Sequence, residues 1–246
     1  MQRISIGEHE VLIKEHFHDE SPKRVGSVGA ADLTGLKVWP LADPLLRRLQ
    51  ANVLPSLRQL RGSDDLRPLA TGGLRVLELG SGQGLLGIAL AAQGDEVVLT
   101  DPAVDFGGSA SATNTLSRLR GNIDLNRDLV GRRASAEKLL WGNETDMAAV
   151  QGKGPFDLVI GCEVIYNSES HAPLLATLKR FSSESLAPVV LGYLERNTGE
   201  SEFLDLARLH FDVDLEPIDL GSVSAEAGGM QARLAVCHPK RTDARR

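Results

Sequence analysis

Apolar and polar positions follow two rhythms along this chain. From Arg3 to Ile6, and again from Val11 to His16, they alternate with period two around Gly7-Glu8-His9-Glu10, which predicts a β-hairpin. From Leu41 to Leu54 the period lengthens. Leu41, Leu45, Leu46, Leu49 and Val53 fall on one face of a helix, and Pro40 stands at its mouth, where a missing N–H costs nothing. Arg75 to Leu79 is a short aliphatic run that reads as a buried parallel strand, followed by an apolar helix from Leu85 to Ala92. A strand over Glu96 to Thr100 ends in Asp101. Helical spacing returns from Thr113 to Asn126 through Leu116, Leu119 and Ile123, with Asn122 and Asn126 as a polar pair. Leu129 to Ala134 predicts a third strand of the sheet, and Pro155 to Gly161 a strongly apolar fourth. Then come a helix (His171 to Phe181), a strand (Pro188 to Glu195) and a helix (Glu200 to His210). Strands over Phe211 to Glu216 and Gln231 to His238 close the series as an antiparallel pair across a turn. Strands alternating with helices specify an α/β sheet, here of seven strands. The stretches 20–36, 62–73 and 102–112 read as loops or connectors, and 240–246 as a basic tail frayed at its end.

The series turns on Leu74 to Gly87, L-R-V-L-E-L-G-S-G-Q-G-L-L-G. Gly80, Gly82 and Gly84 at alternate positions let the backbone turn tightly and let a ligand touch it, just before a helix N-terminus. Asp101, at the tip of the next strand, suits the two hydroxyls of a ribose. Strand, glycine turn, helix, strand and acid together form a nucleoside-binding half of a doubly wound sheet. Two cofactors compete for it. Gly82 to Gly87 satisfies G-x-G-x-x-G, the dinucleotide fingerprint, yet its first glycine does not follow the strand directly. Read as E-x-G-x-G-x-G, the motif places Glu78 where an acid suits the ammonium of S-adenosylmethionine and repels a pyrophosphate. S-adenosylmethionine is the better fit, the dinucleotide the second, and a purely structural turn the third.

Composition narrows the classes. Of 246 residues, 42% are hydrophobic and 24% charged, ordinary values for a globular chain with room for one α/β domain and an addition. The net charge of -6 argues against nucleic-acid binding and fits a basic partner. No apolar run is long enough to span a membrane, and MQRISIGEHE lacks the order of a signal peptide. Two cysteines make no disulfide framework, so a reducing compartment is expected, cytoplasmic or nuclear. His9, His16 and His18 have no ligand spacing, so surface histidines are a better reading than zinc.

Four further positions carry candidate chemistry. Trp39 at the helix mouth is either a hydrophobic staple or a wall of the pocket. Trp141, in L-L-W-G, either stacks on an adenine or packs in the core. Glu163 and Tyr166, just past the strand of P-F-D-L-V-I-G, are aimed at the crevice that Gly80 and Asp101 share.

With these residues in place the sequence resembles the seven-strand, non-SET protein-lysine methyltransferases, the group that acts on chaperones, elongation factors and calmodulin. The marks are G-L-K-V-W-P at 35–40, V-L-E-L-G-S-G-Q-G-L-L-G-I at 76–88, V-V-L-T-D at 97–101, L-L-W-G at 139–142 and F-D-L-V-I-G-C-E-V-I-Y at 156–166. The resemblance implies a Rossmann-like class I methyltransferase domain over 74–238. An N-terminal hairpin and helix, 1–73, pack on it, and a tail follows at 239–246. It implies S-adenosylmethionine held by Trp39, Gly80, Ser81, Gly82, Asp101, Trp141 and Cys162, beside Glu78 and Gly84 of the glycine motif. It further implies a monomer, no metal, and a lysine-bearing protein substrate such as a chaperone or translation factor, with Glu163 and Tyr166 as catalytic residues. Two positions depart from the pattern. Leu140 stands where the group carries Asp, and Glu163-x-x-Tyr166-Asn167 replaces Asp-x-x-Tyr, resembling the histidine-methylating branch. Histidine as acceptor, a small-molecule substrate, and a non-catalytic adenosyl-binding protein are the rival readings.

Overall fold

The computed structural model describes residues 1–14, 38–62, 73–105 and 114–240. His16, His18, the loop at 20–36, most of the connector at 62–73 and the last six residues of the tail lie outside them. Strands β1 (Gln2–Ile6) and β2 (His9–Ile13) form the antiparallel hairpin, with His9 paired to Ile6 across a Gly7-Glu8 turn. The main sheet contains β3 (Arg75–Leu79), β4 (Glu96–Asp101), β5 (Ala134–Lys138), β6 (Leu158–Cys162), β7 (Val189–Leu194), β8 (Phe211–Ile218) and β9 (Ala232–Pro239). Its order is β5-β4-β3-β6-β7-β9-β8. β9 is antiparallel to both neighbours and the rest run parallel.

The helices are α1 (Ala42–Arg48), α2 (Leu54–Gly62), α3 (Leu85–Ala92), α4 (Thr115–Leu125), α5 (Arg127–Val130), α6 (Glu144–Gln151), α7 (His171–Ser183) and α8 (Glu200–Arg208). Every residue of α3 is buried. A helix apolar on all sides needs cover on all sides. One side of α3 meets β4 and β5, and β2 and α1 cover it elsewhere. Ile6, Val11, Ile13, Leu41, Leu45 and Leu49 therefore join Leu86, Ile88 and Leu90 in one core cluster. A second cluster, with Leu174, Leu178, Phe181 and Phe203 of α7 and α8, fills the opposite face of the sheet.

Several expectations need correction. Leu129 to Ala134 is not a strand. Arg127–Val130 is a helical turn that buries Val130, and the strand is Ala134–Lys138. Its sequence, ASAEK, lacks the β-branched residues that mark a strand, because this edge position is fixed by pairing with β4 and is only half buried. The helix from Leu41 does not stop at Leu54. It passes through a wide turn at Leu49–Val53 and continues to Gly62. Pro55 lacks an N–H to give, and the wide turn accommodates its ring. Helix α6 was missed, although Asn143 caps it by accepting from Asp146 N–H.

The polar pair on α4 docks the hairpin. Asn126 accepts from the Leu12 N–H at 2.8 Å and donates to the Leu12 carbonyl at 2.7 Å, imitating a neighbouring strand. Asn122 accepts from Lys14 N–H at 2.9 Å and donates to the Gln83 carbonyl, also at 2.9 Å. The hairpin is thereby tied through α4 to the glycine turn. Asn126→Ala strands both backbone groups of Leu12, a loss of about 1–3 kcal/mol. Chemical denaturation should show a lower midpoint, and Asn126→Asp, which keeps only the acceptor, should recover part of it.

Candidate functional site

β3 lies between β4 and β6, and the chain leaves it in opposite directions to reach them. A crevice opens at the carboxyl ends of the strands where such a sheet switches direction. Here it is a cavity of about 310 Å³. Trp39, Glu78, Gly80, Ser81, Gly82, Gly84, Asp101, Trp141, Cys162, Glu163 and Tyr166 all line it. Gln83, Thr115 and Val164, which the sequence had not singled out, line it too, as do Leu140 and Asn167 of the two departures from the family pattern.

The glycine turn is built from backbone that other residues resist. Gly80, Gly82 and Gly84 have φ of 63°, 53° and 84°. Ser81 staples the turn to β4: its N–H donates to the Thr100 carbonyl at 2.8 Å and its Oγ accepts from Thr100 N–H at 3.1 Å. Asp101 is buried. It accepts from Gly82 N–H at 3.2 Å through one oxygen and from the Thr115 hydroxyl through the other. That carboxylate therefore joins β4, the glycine turn and α4. Trp141 lies over the turn; a Cβ on Gly80 would come within 3.3 Å of its ring. Leu140 is exposed at the rim, and its N–H donates to Asp146 at 2.9 Å, so a carboxylate six residues on serves that backbone.

Glu78 sits beneath the turn, 3% exposed. One oxygen accepts from the N–H of Gly87 in the first turn of α3 at 3.1 Å. Only glycine fits there, since a Cβ would lie 2.4 Å from that oxygen and 2.7 Å from Leu99. Burial pushes the Glu78 carboxyl up to about 8, with Asp101 adding to it, against hydrogen bonds from Ser81 and Gly87.

At the other side of the cavity, Glu163 follows β6 with φ 60°, a left-handed backbone that costs a non-glycine residue about 1 kcal/mol or more. Its N–H donates to the Gly192 carbonyl at 2.8 Å, and its carboxylate accepts from Leu194 N–H at 2.9 Å and pairs with Arg196. Burial raises its pKa, while Arg196 and Leu194 oppose the rise. The guanidinium of Arg196 also stands 5.6 Å from the centroid of the Trp39 ring. Arg196, in an R-N-T-G-E loop without a motif, left no signal in the sequence. The Cys162 thiol is pushed well up by burial and then by Glu163 and Glu78, so it lines the cavity as a neutral group. Asn167 caps the turn at Ser168–Ser170 by accepting from Glu169 N–H at 3.1 Å. Among the described residues, no three His, Cys, Asp or Glu side chains converge as a metal site.

The protonated Glu78 sets a pH dependence. The unfolded chain ionises this residue near 4.5, whereas the folded chain keeps the proton until about 8. Folding therefore loses stability as pH rises through that window, at about 1.4 kcal/mol per unit of displacement. Glu78→Gln has no proton to lose. Its denaturation midpoint should gain on that of the unaltered protein between pH 5 and 8, and parallel curves would place the charge elsewhere.

Comparison with known proteins identifies the family. Residues 33–210 match the family described as lysine methyltransferase. The protein N-lysine methyltransferase METTL21A of Danio rerio is 32% identical over 57% of this chain and 59% of its own length. Its Mus musculus counterpart is 30% identical over 66% of each chain. EEF1A lysine methyltransferase 3 of Mus musculus is 29% identical over 60% of this chain and 57% of its own. The chain thus spans between half and two thirds of the length of these relatives. Among solved structures, the methyltransferase domain of bacterial CtHen1 superposes with a TM-score of 0.51 at 18% identity, covering 80% of this chain and 99% of that one, a likeness of fold. With a seven-stranded sheet of this order and a family match running from residue 33 to residue 210, the chain belongs to the lysine methyltransferase family.

Proposed function

We propose that the protein transfers a methyl group from S-adenosylmethionine to the side-chain nitrogen of a lysine in a protein substrate. The observation that carries this reading is the meeting, in one cavity, of an adenosyl-type cradle with a carboxylate and a phenol. The cradle is Glu78, the glycine turn and Asp101; the acceptor side is Glu163 and Tyr166. The cradle suits a cation. A pyrophosphate would seek the N–H groups at the start of α3, yet the carboxyl of Glu78 already occupies the one at Gly87.

Asp101 would accept from the ribose hydroxyls, Trp39, Trp141 and Cys162 would wall the cavity, and Glu78 would face the cationic amino-acid end. When bound, S-adenosylmethionine supplies a sulfonium methyl whose C–S bond breaks as the N–C bond to the acceptor forms. The protein's work is then positioning and proton control. A lysine must arrive neutral. Val38, Leu140 and Val164 add apolar surface to the lining, which lowers the pKa of an amine entering it while the carboxylate of Glu163 opposes that shift, and its proton leaves to water before attack. Glu163 would accept an N–H of the incoming amine and aim its lone pair, and Tyr166 would pack the stem. Asn167, which completes the string shared with the histidine-methylating branch, is used as a cap, and this favours lysine.

The proposal extends to a chaperone or translation factor as substrate, and to a monomer working in the cytoplasm or nucleus. The relatives named for lysine methylation, one of them for EEF1A, support the substrate, and the two free cysteines support the compartment. Among the described residues no helix is long and apolar enough to cross a membrane.

Two measurements test the reading. Asp101→Asn keeps the shape that Thr115 and Gly82 require but removes the charge. Losing a charged hydrogen bond of about 1.5–3 kcal/mol should weaken S-adenosylmethionine ten- to over a hundredfold by calorimetry. Unchanged affinity would refute the ribose assignment, and tight NAD binding would reverse the choice of cofactor. The second uses labelled S-adenosylmethionine with an extract of cells lacking the gene, which should yield methyllysine in protein. Methylhistidine, a labelled small product, or binding without turnover would each establish a rival instead.

A further inference from the structure

Glu163 is nearly sealed, with 3% of its side chain exposed, and a lone carboxylate in such a place loses its charge. The structure surrounds it with a purpose-built loop. Glu200, at the start of α8, accepts from Thr198 N–H at 2.8 Å and the Thr198 hydroxyl at 2.9 Å, folding residues 196–199 back on themselves. Asn197 and Gly199 take left-handed backbones, φ 56° and 126°, to complete the turn. The loop projects Arg196 between Glu163 and Trp39, where it pairs with the one and stacks on the other. Two elements remote in sequence, the helix mouth at Trp39 and the end of β6 at Glu163, are thus joined across the cavity by one guanidinium from the end of β7.

We infer that Arg196 is a positioning residue for methyl transfer, holding the carboxylate of Glu163 charged and aimed at the incoming amine while fixing Trp39 at the cavity wall. The inference rests on the function proposed above. A carboxylate offers about four acceptor sites; Leu194 N–H and Arg196 take two, and their directions fix the plane of the group. The charged groups that face Glu163 are Arg196 and Glu200, and the titratable thiol of Cys162, on its own strand end, is neutral. Arg196 is the cation among them. Removing it should raise the pKa of Glu163 and of any amine beside it, because both lose a nearby positive charge. Methyl transfer then requires a higher pH.

The test compares Arg196→Gln, Arg196→Lys, Glu163→Gln and the double variant Arg196→Gln/Glu163→Gln. Tritium transfer from S-adenosylmethionine into protein of a gene-deleted extract is followed from pH 6 to 10, and calorimetry gives cofactor affinity. In Arg196→Gln the acidic limb should move up by about 1–3 units. Arg196→Lys should restore most of the shift, cofactor affinity should fall by less than the rate does, and the double variant should be no slower than Glu163→Gln. Carbon-13 NMR of the glutamate carboxyls, with Glu163 assigned by its absence from Glu163→Gln, should show the same upward titration shift without any turnover. An unmoved limb and an unmoved Glu163 titration overturn the inference. So does a double variant slowed by the product of its single effects. Should Arg196→Gln fail to fold, Arg196→Lys decides by the same two readouts: a Glu163 titration held near its original value supports the inference, and one that rises as far as a neutral residue would allow overturns it. If the unaltered protein labels no protein at all, the proposed function fails, while the NMR titration still decides whether Arg196 governs Glu163.

Discussion

A carboxyl buried beneath the first turn of α3 is the constraint on which the rest of the site depends. Glu78 leaves the end of β3 pointing inward, and its oxygen takes the N–H of Gly87. That contact demands glycine at 87 and brings α3 down onto β3 and β4. Burial there, against the pull of that hydrogen bond, keeps a proton on Glu78 up to a pH of about 8. An isolated buried carboxylate is expensive, so the protein tolerates the group either neutral or opposite a cation. The cavity next to it is where a cation would arrive. Geometry and charge therefore favour the same class of ligand, one with a positive end and a nucleoside end.

The same packing explains the N-terminal addition. A helix written L-L-G-I-A-L-A-A has no face fit for water, and the sheet covers only one side of it. The hairpin and α1 cover others, and Asn122 and Asn126 bind the hairpin's backbone while Asn122 also grips Gln83. The addition is thus part of the turn's support. It also delivers Trp39 to the cavity wall, where Arg196 meets it.

How much of this was legible in the sequence follows the physics of each part. The buried strands, α3 and the glycine turn were readable because burial on both faces and positive φ restrict the residue types so strongly. Asp101 and Glu163 were readable as carboxylates at strand ends. β5 was not, because an edge strand takes its place from its neighbour's hydrogen bonds and tolerates A-S-A-E-K. The wide turn before Pro55 hid a helix boundary, and α6 announced itself only by an Asn cap. Arg196 was invisible for a different reason. Its partners Glu163 and Trp39 lie 33 and 157 positions away, and nothing local marks a loop residue whose whole meaning is a long-range contact.

The central claim, a buried neutral carboxyl waiting for a cation, has a direct thermodynamic signature. Calorimetric titration with S-adenosylmethionine near pH 7, repeated in buffers of different ionisation enthalpy, counts protons exchanged on binding. If Glu78 ionises as the cation arrives, binding releases up to about one proton, and Glu78→Gln releases that much less under the same conditions. Equal proton counts for the unaltered protein and Glu78→Gln would contradict the account.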